Sequence, residues 1–264
     1  MKKKHLLLLC LLLSVVFSAC KSGGGDEDKD QNGGNVVKEN LTSGNQGGAA
    51  NSGAKAQSEV MSTYTGMFVP IDGQGLVNKI TISINSLSNG EVQGNSIVSG
   101  NNRPFKGTYT ANSDGYAFSV NEPGDDKYDG KFEFSVITAT GKLTGKWMAN
   151  DKKLKAKSFN LDKRAFQYTT DKGQYSHASA NTLVEEDVAN MTKSDLRLMR
   201  NEIYARHGYA FKMKDMRAYF DNQDWYMPLH TDIRNMLTEV EKKNVELIKR
   251  YEKYAAEYYD SFGR

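Results

Sequence analysis

Arg206 and His207 are the residues of this chain whose types most invite a chemical reading. They are adjacent, flanked by Tyr204 and Tyr209, and follow Glu202 by one helical turn. A guanidinium beside an imidazole can grip a phosphate or carboxylate, and a histidine can serve as a general base near neutral pH. The surrounding sequence completes neither device. No Ser or Cys nucleophile lies near His207, and spacing singles out no pair of acids. Further along, Trp225 and Tyr226 precede Pro228 and offer two rings that can stack on a sugar or close a core. The candidate binding residues are therefore Arg206, His207, Tyr209, Trp225 and Tyr226, and no catalytic residue is assigned.

Metal chemistry has little support. His5 lies in the N-terminal leader, which leaves His177, His207 and His230 with no cysteine near them. A structural zinc site wants about four clustered ligands. The acidic loop Asp125–Gly130 lacks the spacing and terminal glutamate of an EF-hand. No metal and no cofactor is expected.

The elements that hold these residues are helical. Thr192, three places before Asp195, suits a helix start. Leu196, Met199, Ile203 and Tyr204 then recur at helical spacing. Glu202 and Arg206 stand four apart in the favourable order, worth a few tenths of a kcal/mol if exposed. Arg206 and His207 fall in the last turn, where cations meet the negative end of the helix dipole, and Gly208 suits a left-handed stop. The preferred reading of this motif is architectural, with ligand contact as the alternative.

A second helix is expected to restart near Lys212 and to end at Trp225 and Tyr226, with Phe211, Tyr219 and Phe220 closing the core. Trp225 and Tyr226 are read first as the lid of that core and otherwise as an exposed aromatic contact. Past Thr231-Asp232, a stripe through Leu237, Val240, Asn244, Ile248, Tyr251, Ala255 and Tyr258 predicts a long amphipathic helix. Its solvated face would include Glu241, and Asn244 would meet a polar group of the module.

Tyr204-Ala205-Arg206-His207-Gly208 resembles the eponymous motif of the YARHG domain family of bacterial extracellular proteins. The likeness extends through Arg200–Ile203, Tyr209–Phe211, Tyr219-Phe220 and Trp225-Tyr226, with Met216 where the family pattern has leucine. The resemblance implies a small helical module at the cell envelope and implies no catalytic residues.

From Thr63 to about Tyr168 the period becomes two. Ile80, Ile82 and Ile84 alternate with polar residues, as do Tyr116, Phe118 and Val120, then Phe132, Phe134 and Val136. Turn residues separate the runs at Ser88-Asn89-Gly90, Ser113-Asp114-Gly115 and Glu122–Asp125. Phe105, Gly107 and Tyr109 share one face, and so do Leu143, Gly145 and Trp147. Leu154 and Ala156 have the opposite parity to Phe159 and Leu161, which predicts a bulge or break near Ser158. The expectation is a meander of seven or eight strands closed into a small up-and-down barrel, with a twisted sandwich as the alternative. Inward Phe118, Phe134 and Trp147 would fill its lumen; a small apolar pocket is the other possibility.

The N-terminus reads as an address. Basic Met1–Lys4 precedes an apolar run, Leu6–Phe17, too short to cross a bilayer core of about 30 Å comfortably. Ser18-Ala19-Cys20 resembles a bacterial lipobox, with Phe17 where leucine is commonest, and Cys20 would be lipidated. Ordinary signal cleavage is the alternative. Cys10 falls in the leader, so Cys20 has no partner for an intrachain disulfide. Asp26-Glu27-Asp28 resembles the surface-export signal of Bacteroidota lipoproteins; a solvated linker on a periplasmic protein is the alternative. Ser22–Ser58 is rich in Gly, Asn and Ser and reads as a flexible tether.

The expected class is thus a multidomain α+β protein: leader 1–19, lipidated linker 20–58, antiparallel β barrel-like domain 59–168, linker 169–182 and an all-α module 183–264. Charge is nearly balanced, with 35 basic and 32 acidic residues, which argues against nucleic acid as a partner. The expected function is a non-enzymatic envelope lipoprotein. It would be held in the outer membrane through Cys20, exposed at the surface if the acidic patch acts as an export signal, and would bind a glycan, a cell-wall fragment or a protein. A cell-wall or glycan hydrolase, with its acid pair assembled from distant positions, is the alternative.

Overall fold

The computed structural model describes residues 57–258, with side chains to Ala255. The leader, Cys20 and nearly all of the tether lie outside the described residues, as does the side chain of Tyr258.

Eight antiparallel strands follow one another around a closed barrel. They are β1 (Thr63–Pro70), β2 (Asn78–Ser88), β3 (Glu91–Val98), β4 (Asn101–Ala111), β5 (Gly115–Asn121), β6 (Gly130–Ile137), β7 (Lys142–Ala149) and β8 (Lys157–Lys163). β8 pairs back on β1, from Tyr64 opposite Lys163 to Pro70 opposite Lys157, so no strand edge is left open. Asn89 and Gly90 both take positive φ, 50° and 81°, the backbone that a two-residue hairpin requires. Ser99 and Gly100 repeat this device between β3 and β4.

The alternating residues point inward as the period predicts. Ile80, Ile82, Phe105, Phe118, Phe134 and Leu161 are all buried. Phe118 and Phe134 stack across β5 and β6 with centroids 4.7 Å apart. A Cβ on Gly145 would lie 2.4 Å from Phe134 Cβ, so the glycine makes room for this packing. A helical turn over residues 57–60 closes one end of the lumen, where Tyr64 Oη donates to the carbonyl of buried Val60 at 2.9 Å. The parity change near Ser158 marks the boundary between a loop and a strand. β8 begins at Lys157 and Leu154 belongs to the preceding loop. The one register shift falls instead in β2, between Ile84 and Ser86.

The helical module comprises α1 (His177–Ala180), a 3-10 turn Glu185–Asp187, α2 (Lys193–Arg206), α3 (Lys214–Phe220) and α4 (Glu239–Tyr258). Thr192 caps α2 by accepting the Asp195 N–H at 3.2 Å. Three expectations are corrected. The polar stretch taken as a linker is packed into the module, and Ala178 and Ser179 within it are buried. α3 ends at Phe220, short of Trp225, because Asp221 turns away to bind the barrel. α4 starts only at Glu239, where Thr238 and Glu241 form a reciprocal capping box at 2.9 and 3.2 Å.

Barrel and module are joined through the segment after α3. The Asp221 carboxylate accepts the Lys79 backbone N–H at 3.0 Å. Lys79 Nζ donates to the carbonyls of Gln223 and Tyr226 at 2.6 and 3.1 Å, and Arg164 donates to those of Asp224 and Trp225.

Packing of the lumen makes a direct prediction. Phe118→Ala is expected to cost about 3–5 kcal/mol, the range for removing a buried ring from a rigid core. Urea denaturation would read it as a lower midpoint at unchanged slope. A cost under about 1 kcal/mol would contradict a close-packed lumen.

Candidate functional site

α2 carries Glu202 and Arg206 one turn apart, and both side chains are fully enclosed with Nη2 to Oε2 at 2.9 Å. Arg206 also donates from Nε to the Lys172 carbonyl at 2.8 Å and from Nη1 to Ser179 Oγ at 3.1 Å. Burial lowers the Arg206 pKa from its ordinary value, against the pull of Glu202. Glu202 in turn accepts the backbone N–H groups of Gln174 and Tyr175 at 2.9 and 2.7 Å. The pair is therefore a buried junction, so the few tenths of a kcal/mol of an exposed helix-face pair do not describe it.

His207 caps α2, and its Nε2 lies 2.7 Å from Glu241 Oε2 on α4. Tyr168 stacks on the imidazole at 4.5 Å and donates to Glu241 Oε1 at 3.1 Å. Burial, then the nearby Glu241 charge, pushes the Tyr168 pKa up to about 12. Glu241, assigned by its spacing to the solvated face, is buried. Gly208 follows with φ 70°; its N–H reaches the Ala205 carbonyl at 2.9 Å, and that of Tyr209 reaches Tyr204 at 3.1 Å. These are the two bonds of a Schellman stop. Asn244 meets the polar groups expected of it, accepting from Leu183 N–H and donating to the Ala178 and Asn181 carbonyls.

The other candidate residues are placed as follows. Tyr226 is buried, with its hydroxyl donating to the Tyr209 carbonyl at 2.7 Å. Trp225 and Tyr209 are half-buried against the cluster built on Phe211 and Phe220, whose rings stack at 4.6 Å. Arg206, His207 and Tyr226 are thus enclosed and occupied by partners within the chain.

A cleft of about 720 Å³ lies elsewhere, at the barrel end opposite the 57–60 turn. Its floor is Phe68, Phe132 and Trp147, with Phe68 and Trp147 edge to face at 5.8 Å. Glu122, just past β5, is buried beside this floor and braces three strands. It accepts from Ser96 Oγ on β3 and from Trp147 Nε1 on β7, both at 3.1 Å, and Arg103 Nη1 on β4 stands 3.9 Å away. Arg103 is paired more closely with Asp129 at 2.7 Å. Burial pushes the Glu122 pKa up, opposed by the hydrogen bond from Trp147 and by Arg103. Leu76 and Tyr128, 58% and 52% exposed, stand at the rim.

Sequence reasoning did not select these residues, although strand parity reaches them. Arg103 stands two before Phe105, Glu122 two after Val120, and Lys157 two before Phe159. Each continues an inward-facing row to the mouth. Among the described residues no group of three or more His, Cys, Asp or Glu is placed to hold a metal ion.

An eight-stranded meander barrel carrying a small helical module with a buried Arg–Glu junction defines the structural class. Residues 173–253 match the family model described as YARHG domain, so the chain carries a YARHG domain over the helical module. No curated protein matches the chain.

Two outcomes follow from the buried groups. Arg206→Ala would strand the Glu202 charge and is expected to destabilise the protein by about 3–5 kcal/mol. A chemical melt close to that of the parent would show that the pair is not structural. The second concerns acid. Burial acts to raise the Glu241 pKa, but hydrogen bonds from His207 and the Thr238 N–H outweigh it and hold the carboxyl below its ordinary 4.5. A depressed folded pKa contributes stability that is present above the ordinary value and lost as pH falls through the folded one. Stability should therefore drop as pH falls below about 4.5, and Glu241→Gln should flatten part of that drop. Melting temperatures of both proteins between about pH 7 and pH 3 would decide it, and parallel curves would refute the assignment.

Proposed function

We propose that this protein is a lipid-anchored lipoprotein of the cell envelope whose folded part is a non-enzymatic binding module. Its binding site is the open mouth of the barrel. The observation that carries this reading is the cleft of about 720 Å³ there, with an aromatic floor and convergent polar groups. Small-ligand sites fall in the range of roughly 300–1,000 Å³ with that same mixture of linings. The exposed Leu76 and Tyr128 at its rim are apolar surface that a ligand would cover. A glycan, a cell-wall fragment or a segment of an envelope protein entering the mouth fits this description. Lipid attachment at Cys20 keeps the module at the outer membrane, and the tether gives it reach.

The hydrolase reading asks for two carboxyls about 5–9.5 Å apart across a cleft. Glu122 is the single acid among the residues lining this one, and both its oxygens already accept hydrogen bonds. That favours binding over hydrolysis.

Two measurements test the proposal. Cys20→Ala should abolish incorporation of radiolabelled palmitate in growing cells; retained label would refute the anchor. The full chain should bind an envelope polymer, fragment or protein at micromolar concentration or tighter, and Tyr128→Ala should weaken that binding several-fold. Failure to bind any of the three would remove the binding-module reading.

A further inference from the structure

We propose that the barrel mouth takes an anionic amphiphile: Lys157 and Arg217 grip its carboxylate or phosphate-type group while its apolar body lies on Phe68, Phe132 and Trp147. This inference rests on the mouth being a binding site and adds the chemistry of the ligand.

The lining carries four cations, and their partners divide them into two kinds. Arg103 is neutralised by Asp129 at 2.7 Å, and Lys155 by Asp72 at 2.7 Å. Lys157 and Arg217 have no carboxylate within 4.0 Å among the described residues. Lys157 belongs to the inward-facing row of β8, ahead of buried Phe159 and Leu161. Its Nζ lies 4.8 Å over the Phe68 ring and donates to the Leu76 carbonyl at 3.2 Å. Arg217 comes from α3, where Nη1 donates to the Lys212 carbonyl at 2.8 Å. An ammonium has three donors and a guanidinium five, so both groups keep donors to give. Burial first, and then repulsion from the nearby Arg217 charge, lower the Lys157 pKa. An anion between them relieves that repulsion.

The rest of the mouth fixes the ligand's other end. Beneath Lys157 the floor is aromatic, with Phe132 and Trp147 centroids 6.4 Å apart. The one acid, Glu122, stands with Arg103 on the β4–β5 side. An anion is thereby turned toward β8 and α3, and an apolar body toward the rings. The site also gives the junction between barrel and module a purpose. Lys157 comes from the barrel and Arg217 from the module, and the ties of Lys79 and Arg164 to residues 221–226 hold α3 beside the mouth. Neither part alone makes the grip.

The test is calorimetric titration of the full chain with four probes sharing one eight-carbon chain, each below its micellar concentration. These are octanoate, octylphosphonate, octanol and octyltrimethylammonium. At least one anion should bind about tenfold or more tightly than the alcohol and the ammonium, as expected of charge-assisted hydrogen bonds. The preferred anion tells a carboxylate ligand from a phosphate one. Lys157→Gln and Arg217→Gln should each lower anion affinity about tenfold and leave octanol unmoved. Lys142→Gln, at the end of β7 away from the mouth, should leave all four unmoved. Equal binding of all probes would overturn the anion grip and leave the mouth as a binding site. Binding of none would overturn the inference, and a glycan or cell-wall fragment that still quenched Trp147 would keep the wider reading. Selectivity among the probes decides the matter in the parent protein, whatever the stability of the variants.

Discussion

An arginine keeps its charge at any pH a protein meets, so a guanidinium at 2% exposure must be surrounded by acceptors before the fold can close. Arg206 sets that condition for the helical module. Glu202, one turn back, supplies the counter-charge, but the remaining donors need oxygens that α2 does not provide. They come from Lys172 and Ser179, some thirty residues earlier. The spare lone pairs of Glu202 take the Gln174 and Tyr175 N–H groups, and Gly173 lies so close that a Cβ would meet Glu202 Oε2 at 2.6 Å. One ion pair thus orders residues 172–179. That places Ala178 in the core and brings the Ala178 and Asn181 carbonyls to Asn244. Such a pair contributes little net stability, because desolvation offsets most of its attraction. What it specifies is which segment lies against which.

The barrel solves the opposite problem. Its interior asks only for volume, and the inward rows supply rings from neighbouring strands. At the mouth, the rows run out into charged groups. There Glu122 replaces ring contacts with hydrogen bonds to two other strands, and Arg103 and Lys157 end their rows in charge. Inward charges at a barrel end are tolerated because they keep access to water and lie over aromatic faces, as Lys157 does over Phe68.

The parts legible in the sequence were those governed by local period. Alternation gave the strands, and the placement of Gly208 gave the helix stop, because both depend on backbone geometry within a few residues. What was not legible depended on partners distant in sequence. Glu241 reads as solvated on a helical wheel and is buried because His207 and Tyr168 reach it from elsewhere. Residues 169–182 read as a linker because they are polar, yet their backbone groups and Ser179 Oγ are what Arg206 and Glu202 bind. Trp225 and Tyr226 look like the end of a helix, but Asp221 leaves the helix early to hold Lys79. Arg103, Glu122 and Lys157 are ordinary charged residues until closure of the sheet shows that three inward rows end at one place.

The most chemical-looking residues of this chain and the charged ones that line its open cleft are therefore different sets. Arg206 and His207 combine a cation with a titratable ring, but their donors and acceptors are spent on Glu202, Ser179 and Glu241. A ligand reaching them would have to displace bonds that hold three helices together. At the mouth the reverse holds: Lys157 and Arg217 have no carboxylate within ion-pair distance among the described residues, and both line the cleft over Phe68 and Trp147. The buried pair fixes the module, the module holds α3, and α3 carries Arg217 to the cleft. On the binding proposal, the family motif acts on the cleft from a distance, by rigidity, and recognition falls to residues the motif does not contain.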